Sequence, residues 1–194
     1  MLNNHLIYLI TLFISMDYKE TKKNLRLTLQ KKLSLKNLHE VPMIEKVIVA
    51  IWVGSLHTRK GIKDFSEFEK NLSLITAQKP TMVMSKKNIS NFKLRSGMPS
   101  MLKVTLRWEK AYHFLFKLMS IVLPRVRDFS GLSNKSFDNK GNYSIWLQSY
   151  ALFPELHPDT ISLATGLQIT LHTSWSDKVH NKSLIEEMWF VFQS

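Results

Sequence analysis

The sequence predicts an α+β fold, an antiparallel sheet with helices packed on one face. Three observations carry that prediction. Short β-branched runs, such as those at 44–53 and 101–107, interleave with stretches of helical apolar spacing and lack the regular strand-helix repeat of a parallel sheet. Proline and glycine punctuate the chain where one pattern gives way to the next. With 194 residues, 44% hydrophobic and 22% charged, the chain can bury a core and is too apolar for intrinsic disorder. Residues 16–194 therefore read as a single domain behind an extension of residues 1–15.

The elements follow in order. Residues 6–14 form an apolar run of nine, far short of the roughly 20 residues that cross a bilayer. No basic segment precedes them, as one would in a secretory signal, and the first sixteen residues lack the arginines of an organellar presequence. From 17 to 37, Leu25, Leu29 and Leu33 recur every fourth residue. Lys19, Lys22, Lys23, Arg26, Lys31, Lys32 and Lys36 occupy much of the remaining surface, which makes a basic amphipathic helix. Val41-Pro42 closes it. The run at 44–53 is β-branched enough for a strand, stopped by Gly54. Phe65, Phe68, Leu72 and Ile75 then mark a helix over 64–76, which Pro80 separates from a strand at 81–84. A basic loop at 85–100 leads to the strand at 101–107. An apolar helix spans 108–123, ending before Pro124. Strands at 143–152 and 166–173 and a last helix at 177–192, with Asp177 near its N-terminus, complete the chain.

Charge is distributed unevenly. Seven cations face two carboxylates in 17–36 and eight face one in 79–110, so these windows hold the whole net charge of +12. An excess confined to two segments is the footprint of a polyanion partner, because a merely solubilising surface would spread it. The loop Lys86-Lys87-Asn88-Ile89-Ser90-Asn91-Phe92-Lys93-Leu94-Arg95-Ser96-Gly97-Met98-Pro99 concentrates that excess. Its four cations suit phosphates, and Gly97 and Pro99 shape its exit. Repulsion among those cations predicts a loop that stays open until RNA neutralises it. Phe92 either stacks on a base or anchors the loop to the core, and anchoring is the favoured reading.

Other chemistries find little support. With no cysteine there is no disulfide, thiol nucleophile or Cys-ligated metal. The seven histidines are scattered, and no HExxH, phosphate loop or GxSxG is present, so no cofactor or metal is expected. A metal-dependent nuclease would recruit Asp128, Asp138 and Glu155. Arg125, Arg127 and Lys140 lie near enough in sequence to be ordinary structural partners for the two aspartates.

The turn-rich segments and the basic loop together resemble a known family. The likeness runs from Met16 to Phe192 through Val41-Pro42-x-Ile44-Glu45-Lys46, Gln78-Lys79-Pro80, Phe92-Lys93-Leu94-Arg95-x-Gly97-x-Pro99 and Lys103-Val104-Thr105-Leu106-Arg107. It continues through Pro124-Arg125-Val126-Arg127-Asp128-Phe129-x-Gly131-Leu132, Ser136-Phe137-Asp138-x-x-Gly141-Asn142-Tyr143 and Phe153-Pro154-Glu155. These motifs, in this order, are similar to those of the bacterial-type large-subunit ribosomal protein five, the universal protein associated with 5S ribosomal RNA.

The resemblance implies an RRM-like sandwich in the central protuberance of the large subunit and no enzymatic activity. It implies that Lys19, Lys22, Lys23, Arg26, Gln78, Lys79, Lys103, Thr105 and Arg107 face 5S or large-subunit rRNA. By the same resemblance, Lys86, Lys87, Asn91, Phe92, Lys93, Arg95, Gly97 and Pro99 form a loop near peptidyl-site tRNA. Arg125, Arg127, Asp128, Phe129, Lys140, Asn142 and Tyr143 would lie near a protein of the small-subunit head. The chain departs from the family pattern at Ala50 (Asn), Trp52 (Gly), Ala77 (Gly), Ser130 (Arg) and Gln168 (Asp). Loss of the Asn weakens the expectation of a standard 5S contact. The Lys/Asn/Ile/Leu/Ser-rich composition suggests an organelle-encoded, mitochondrial member, with a plastid or bacterial cytoplasm as the alternative.

Overall fold

The computed structural model describes residues 18–157, 161, 163, 165–175, 177–188 and 190–193. The extension at 1–15, with its apolar run, lies outside them. Five strands, β1 (Ile44–Trp52), β2 (Thr81–Met84), β3 (Pro99–Arg107), β4 (Tyr143–Leu147) and β5 (Leu167–Thr173), form an antiparallel sheet in the order β2-β3-β1-β5-β4. The α-helices are α1 (Tyr18–Lys32), α2 (Gly54–Lys60), α3 (Ser66–Thr76), α4 (Trp108–Lys117) and α5 (Lys178–Glu187). The chain divides into two compact units, residues 46–107 with 144–171, and residues 1–45 with 108–143 and 172–194.

In the first unit the period-2 pattern sorts the sheet into two faces. Val47, Val49 and Ile51 are buried, and their cross-strand partners Leu106, Val104 and Leu102 are buried with them. Leu167, Ile169 and Leu171 extend this layer along β5. Phe68, Leu72 and Ile75, at helical spacing, bury one side of α3, and both α2 and α3 touch β3. Asp64 starts α3 by accepting the Ser66 backbone N–H at 2.9 Å. Tyr150 is fully buried and edge-on to Phe68, with ring centroids 6.3 Å apart. Its hydroxyl donates to the Leu163 carbonyl at 3.0 Å. On the opposite sheet face Trp52, Thr81 and Trp146 are exposed and Lys46, Lys103 and Thr105 half-buried.

In the second unit, Leu29 of α1 and Leu184 and Ile185 of α5 are buried, and Lys32 lies 3.8 and 3.7 Å from the Glu186 and Glu187 carboxylates. These ion pairs are solvent-exposed and contribute little. Phe114, Leu115, Leu118 and Val122 bury the apolar side of α4 and its continuation.

The structure corrects several boundaries. Gly54 ends β1 but also opens α2, a helix too short, with Leu56 its one large buried side chain, to show a period in sequence. The α-helical bonding of α4 stops at Lys117. The chain then widens into a π turn at Leu118–Val122 and tightens into a 3-10 turn at Leu123–Arg125, which tolerates Pro124 near its start. Strand β4 ends at Leu147, and α5 ends at Glu187. Residues 191–193 instead lie beside Leu132, whose N–H donates to the Val191 carbonyl at 2.8 Å and whose carbonyl accepts from Gln193 N–H at 2.9 Å.

Five described non-glycine residues take left-handed backbone, among them Ala77 after α3 (φ +50°) and Trp108 at the start of α4 (φ +52°). The left-handed region costs a residue with a Cβ roughly 1–2 kcal/mol. Trp108 is 73% exposed, so its ring offsets little of this. Ala77→Gly and Trp108→Gly are each expected to stabilise the protein by about 1 kcal/mol, seen as a rise in melting temperature of roughly 2–4 °C. A fall in both would refute the strain assignment.

Candidate nucleic-acid interface

The open sheet face is built by alternation. Lys46, Ile48, Ala50 and Trp52 take the alternate positions on β1, paired with Arg107, Thr105, Lys103 and Met101 on β3, and Thr81 of β2 pairs with Lys103 from the other side. Lys46 and Arg107 are direct cross-strand partners. Like charges placed opposite each other destabilise a sheet. No carboxylate among the described residues lies within ion-pairing distance of Lys46, Lys103 or Arg107, and the open face of β1–β3 carries none. Such a surface is stabilised by an external polyanion. Ala50, paired with Lys103, is itself buried, 5% exposed, even on this face. The Gln78 amide donates to the Thr105 carbonyl at 3.4 Å, bringing these two predicted residues together, while Lys79 is exposed beside them.

The basic loop is more closed than its charge suggested. Ser85 N–H donates to the Met98 carbonyl at 2.8 Å, Gly97 N–H to Ser85 at 2.9 Å and Ile89 N–H to Leu94 at 2.8 Å, while Asn88 Oδ1 accepts the Ser96 N–H at 2.7 Å. These bonds satisfy the backbone locally, so repulsion among Lys86, Lys87, Lys93 and Arg95 is met by geometry that turns all four outward. Gly97 (φ +82°) allows the turn back into β3. The anchoring assigned to Phe92 is wrong. Phe92 is 64% exposed, beside exposed Asn91, and Leu94 packs instead against Gly54, where a Cβ would be 3.4 Å from Leu94 Cδ2. Pro99 is the first residue of β3 rather than part of the loop tip.

Helix α1 carries four of the cations assigned to the RNA surface, Lys19, Lys22, Lys23 and Arg26. Lys23 is exposed, Lys22 and Arg26 are half-buried, and Lys19 falls in the first turn. Arg26 Nε is shielded from solvent without an acceptor among the described residues.

The turn-rich segment divides into exposed and buried residues. Arg125, Arg127, Asp128, Phe129 and Lys140 are exposed, and Arg127 and Asp128 pair across 3.7 Å in solvent. Tyr143 does not belong with them. Its ring is 1% exposed against Phe137 and Phe192, and its hydroxyl donates to the Ser133 carbonyl at 2.8 Å, so it supports the loop from below. Asn142 is also turned inward, donating to Asp138 Oδ2 at 2.8 Å and accepting from Thr173 N–H at 3.4 Å. Beneath this loop, fully buried Asn181 donates to the Gly141 carbonyl at 3.0 Å and the Trp175 carbonyl at 2.8 Å. Asp177 caps α5, accepting the Val179 N–H at 3.1 Å and bonding His180 Nδ1. The His180 contact, with the Val179 bond second, holds the Asp177 carboxyl below the usual range.

The nuclease alternative loses its centre here. Asp138 Oδ1 accepts the Lys140 and Asn142 backbone N–H groups, both at 2.8 Å, and Oδ2 takes the Asn142 amide. Burial pushes this carboxyl up, but the three donors outweigh it and hold it below its ordinary value. Its lone pairs are occupied by a turn. Among the described residues no cluster of three His, Asp or Glu side chains could hold a metal ion, and no helix is long and apolar enough to cross a membrane.

Two features escaped the sequence. Arg59 and Lys60 on α2, with Lys63 after it, add exposed cations in a window whose net charge is zero; a finer charge window would have found them. The bond between Trp52 and Gln168 joins residues 116 apart, and no local signal could reveal it.

Together, an α+β sandwich with an open cationic sheet face, an outward-charged loop and a basic helix define an RNA-binding protein of the ribosomal type. Comparison with known proteins makes the assignment particular. Residues 37–95 match the family model of ribosomal protein L5, and residues 99–192 match the model of the same family's C-terminus. The large ribosomal subunit protein uL5 of Thermosipho melanesiensis is 41% identical over 172 residues, covering 89% of this chain and 93% of its own. Its counterparts from Thermotoga maritima (42% over 161 residues, 81% and 85% coverage) and Francisella philomiragia (42% over 166 residues, 86% and 92%) are similar throughout. The chain belongs to the ribosomal protein uL5 family.

Proposed function

We infer that this chain is a structural, non-enzymatic constituent of a large ribosomal subunit whose work is to hold rRNA. The observation that carries the reading is the open face of the sheet, where Lys46 stands directly opposite Arg107 and Lys103 lies alongside, with no carboxylate among the described residues to neutralise them. Phosphates supply that neutralisation. The sheet face, with Gln78, Lys79, Lys103, Thr105 and Arg107, and helix α1, with Lys19, Lys22, Lys23 and Arg26, bind large-subunit rRNA, and 5S rRNA where the ribosome has one. Residues 16–194 act as one RNA-binding module in the central protuberance.

The loop from Lys86 to Pro99 reaches toward peptidyl-site tRNA, its exposed Phe92 free to meet a base. Exposed Arg125, Arg127, Asp128, Phe129 and Lys140 face a protein of the small-subunit head. The mitochondrial ribosome is the proposed location, supported by the composition; the relatives named above are bacterial, so subcellular fractionation decides it.

Sedimentation through a high-salt sucrose gradient tests the function. The chain is expected to travel with the large subunit, and its retention at the top of the gradient would refute the ribosomal role. In the same experiment Lys93→Ala/Arg95→Ala is expected to leave sedimentation unchanged and weaken tRNA retention at the peptidyl site. Loss of the variant from subunits would instead make the loop an rRNA assembly clamp. Sequencing the co-purified RNA reveals whether a 5S molecule is present.

A further inference from the structure

The open sheet face also carries two large indoles that phosphate contacts leave unused. Trp52, the last residue of β1, is 44% exposed, and Trp146 of β4 is 58% exposed. Strand β5 lies between theirs, and both indoles are held by residues at its start. Trp52 Nε1–H donates to Gln168 Oε1 at 2.8 Å, which occupies the indole's one donor and fixes the ring's orientation. The Trp146 ring lies over Gly166, so close that a Cβ there would sit 2.2 Å from Cζ2. Gly166, just before β5, and Gln168 within it are two residues apart, a distance of about 7 Å along extended chain. Two oriented aromatic rings therefore flank β5 at adjacent positions, with much of their surface in water.

We propose that Trp52 and Trp146 form a stacking platform for unpaired nucleotides of the RNA held on this face. The inference rests on the rRNA-binding role and names the kind of RNA: a single-stranded loop or bulge, since a duplex hides its base faces while an unpaired base offers its π-face to an indole. Charge complementarity selects nucleic acid as the occupant. The platform continues into the row formed by Lys103, Lys46 and Arg107, so a strand whose bases stack on the indoles keeps its phosphates within reach of cations. Because every base has a π-face, the platform tolerates sequence. With the Trp52 donor already committed to Gln168, its contribution is stacking rather than base readout.

The test titrates the full chain with a short unpaired RNA and with a blunt duplex of equal length, measuring affinity against salt. Trp52→Ala and Trp146→Ala are each expected to weaken single-strand binding roughly 5- to 150-fold while leaving the salt slope and the duplex affinity unchanged. Phe at either position is expected to restore most of the loss. Gly166→Ala gives an independent check, since its Cβ must displace the Trp146 ring, which has solvent to move into; it should reproduce the Trp146→Ala defect at unchanged melting temperature. Unchanged single-strand affinity in both Ala variants overturns the platform while the rRNA role stands. Unchanged RNA affinity with loss from large subunits also overturns it, assigning the indoles to a protein neighbour. If the wild-type chain binds neither RNA, the rRNA-binding role fails and the platform with it.

Discussion

Gly141→Ala is expected to destabilise the protein by about 3 kcal/mol, a fall in melting temperature of roughly 6–12 °C. Gly141 has φ +73°, and a Cβ there would sit 2.3 Å from Asn181 Nδ2 and 3.2 Å from the Asp177 carbonyl. Left-handed backbone alone accounts for roughly 1–2 kcal/mol. The remainder comes from Asn181, which is fully buried and has nowhere to move without releasing the carbonyls of Gly141 and Trp175. Each buried acceptor left without its donor costs roughly 1–3 kcal/mol. Gly61 provides the contrast, with φ +68° but nothing within 4 Å of where a Cβ would stand, so Gly61→Ala should lose only about 1 kcal/mol. Equal melting temperatures for the two variants would show that the contact between Gly141 and Asn181 is not what holds this loop.

Replacing Lys22, Lys23 and Arg26 together by Gln is expected to flatten the salt dependence of rRNA binding. Each phosphate contact contributes roughly 0.7 to 0.9 to the slope of log affinity against log salt, so three lost contacts lower it by roughly 2 to 3. At about 0.1 M salt this amounts to a loss of affinity on the order of a hundredfold. Glutamine keeps helix propensity close to that of Lys and Arg, so α1 itself should persist. An unchanged slope at unchanged affinity would mean that these cations only solvate the helix. Arg26 is the most informative single position, because its shielded Nε has no acceptor among the described residues.

The sequence by itself determined the α+β class, the order of its elements apart from the short helix α2, the two basic windows and the family. Each rests on near neighbours. The alternation of Val47, Val49 and Ile51 with Lys46, Ile48 and Trp52 assigns the two faces of the strand wherever it pairs, and the four-residue spacing of Leu25, Leu29 and Leu33 does the same for α1. Tertiary structure alone decided which aromatic side chains the solvent sees. Phe92 and Leu94 sit two apart in one loop, and only the approach of Gly54, some forty residues earlier in the chain, makes Leu94 the anchor and leaves Phe92 outside. Tyr143 looked like part of an exposed turn until Phe137 and Phe192 closed over it. Trp52 and Gln168, read singly as departures from a family pattern, prove to be hydrogen-bond partners. Periodicity is written locally because a helix or strand repeats every few residues. Burial and hydrogen-bond partnership depend on residues the chain brings together from far apart, and no local window contains them.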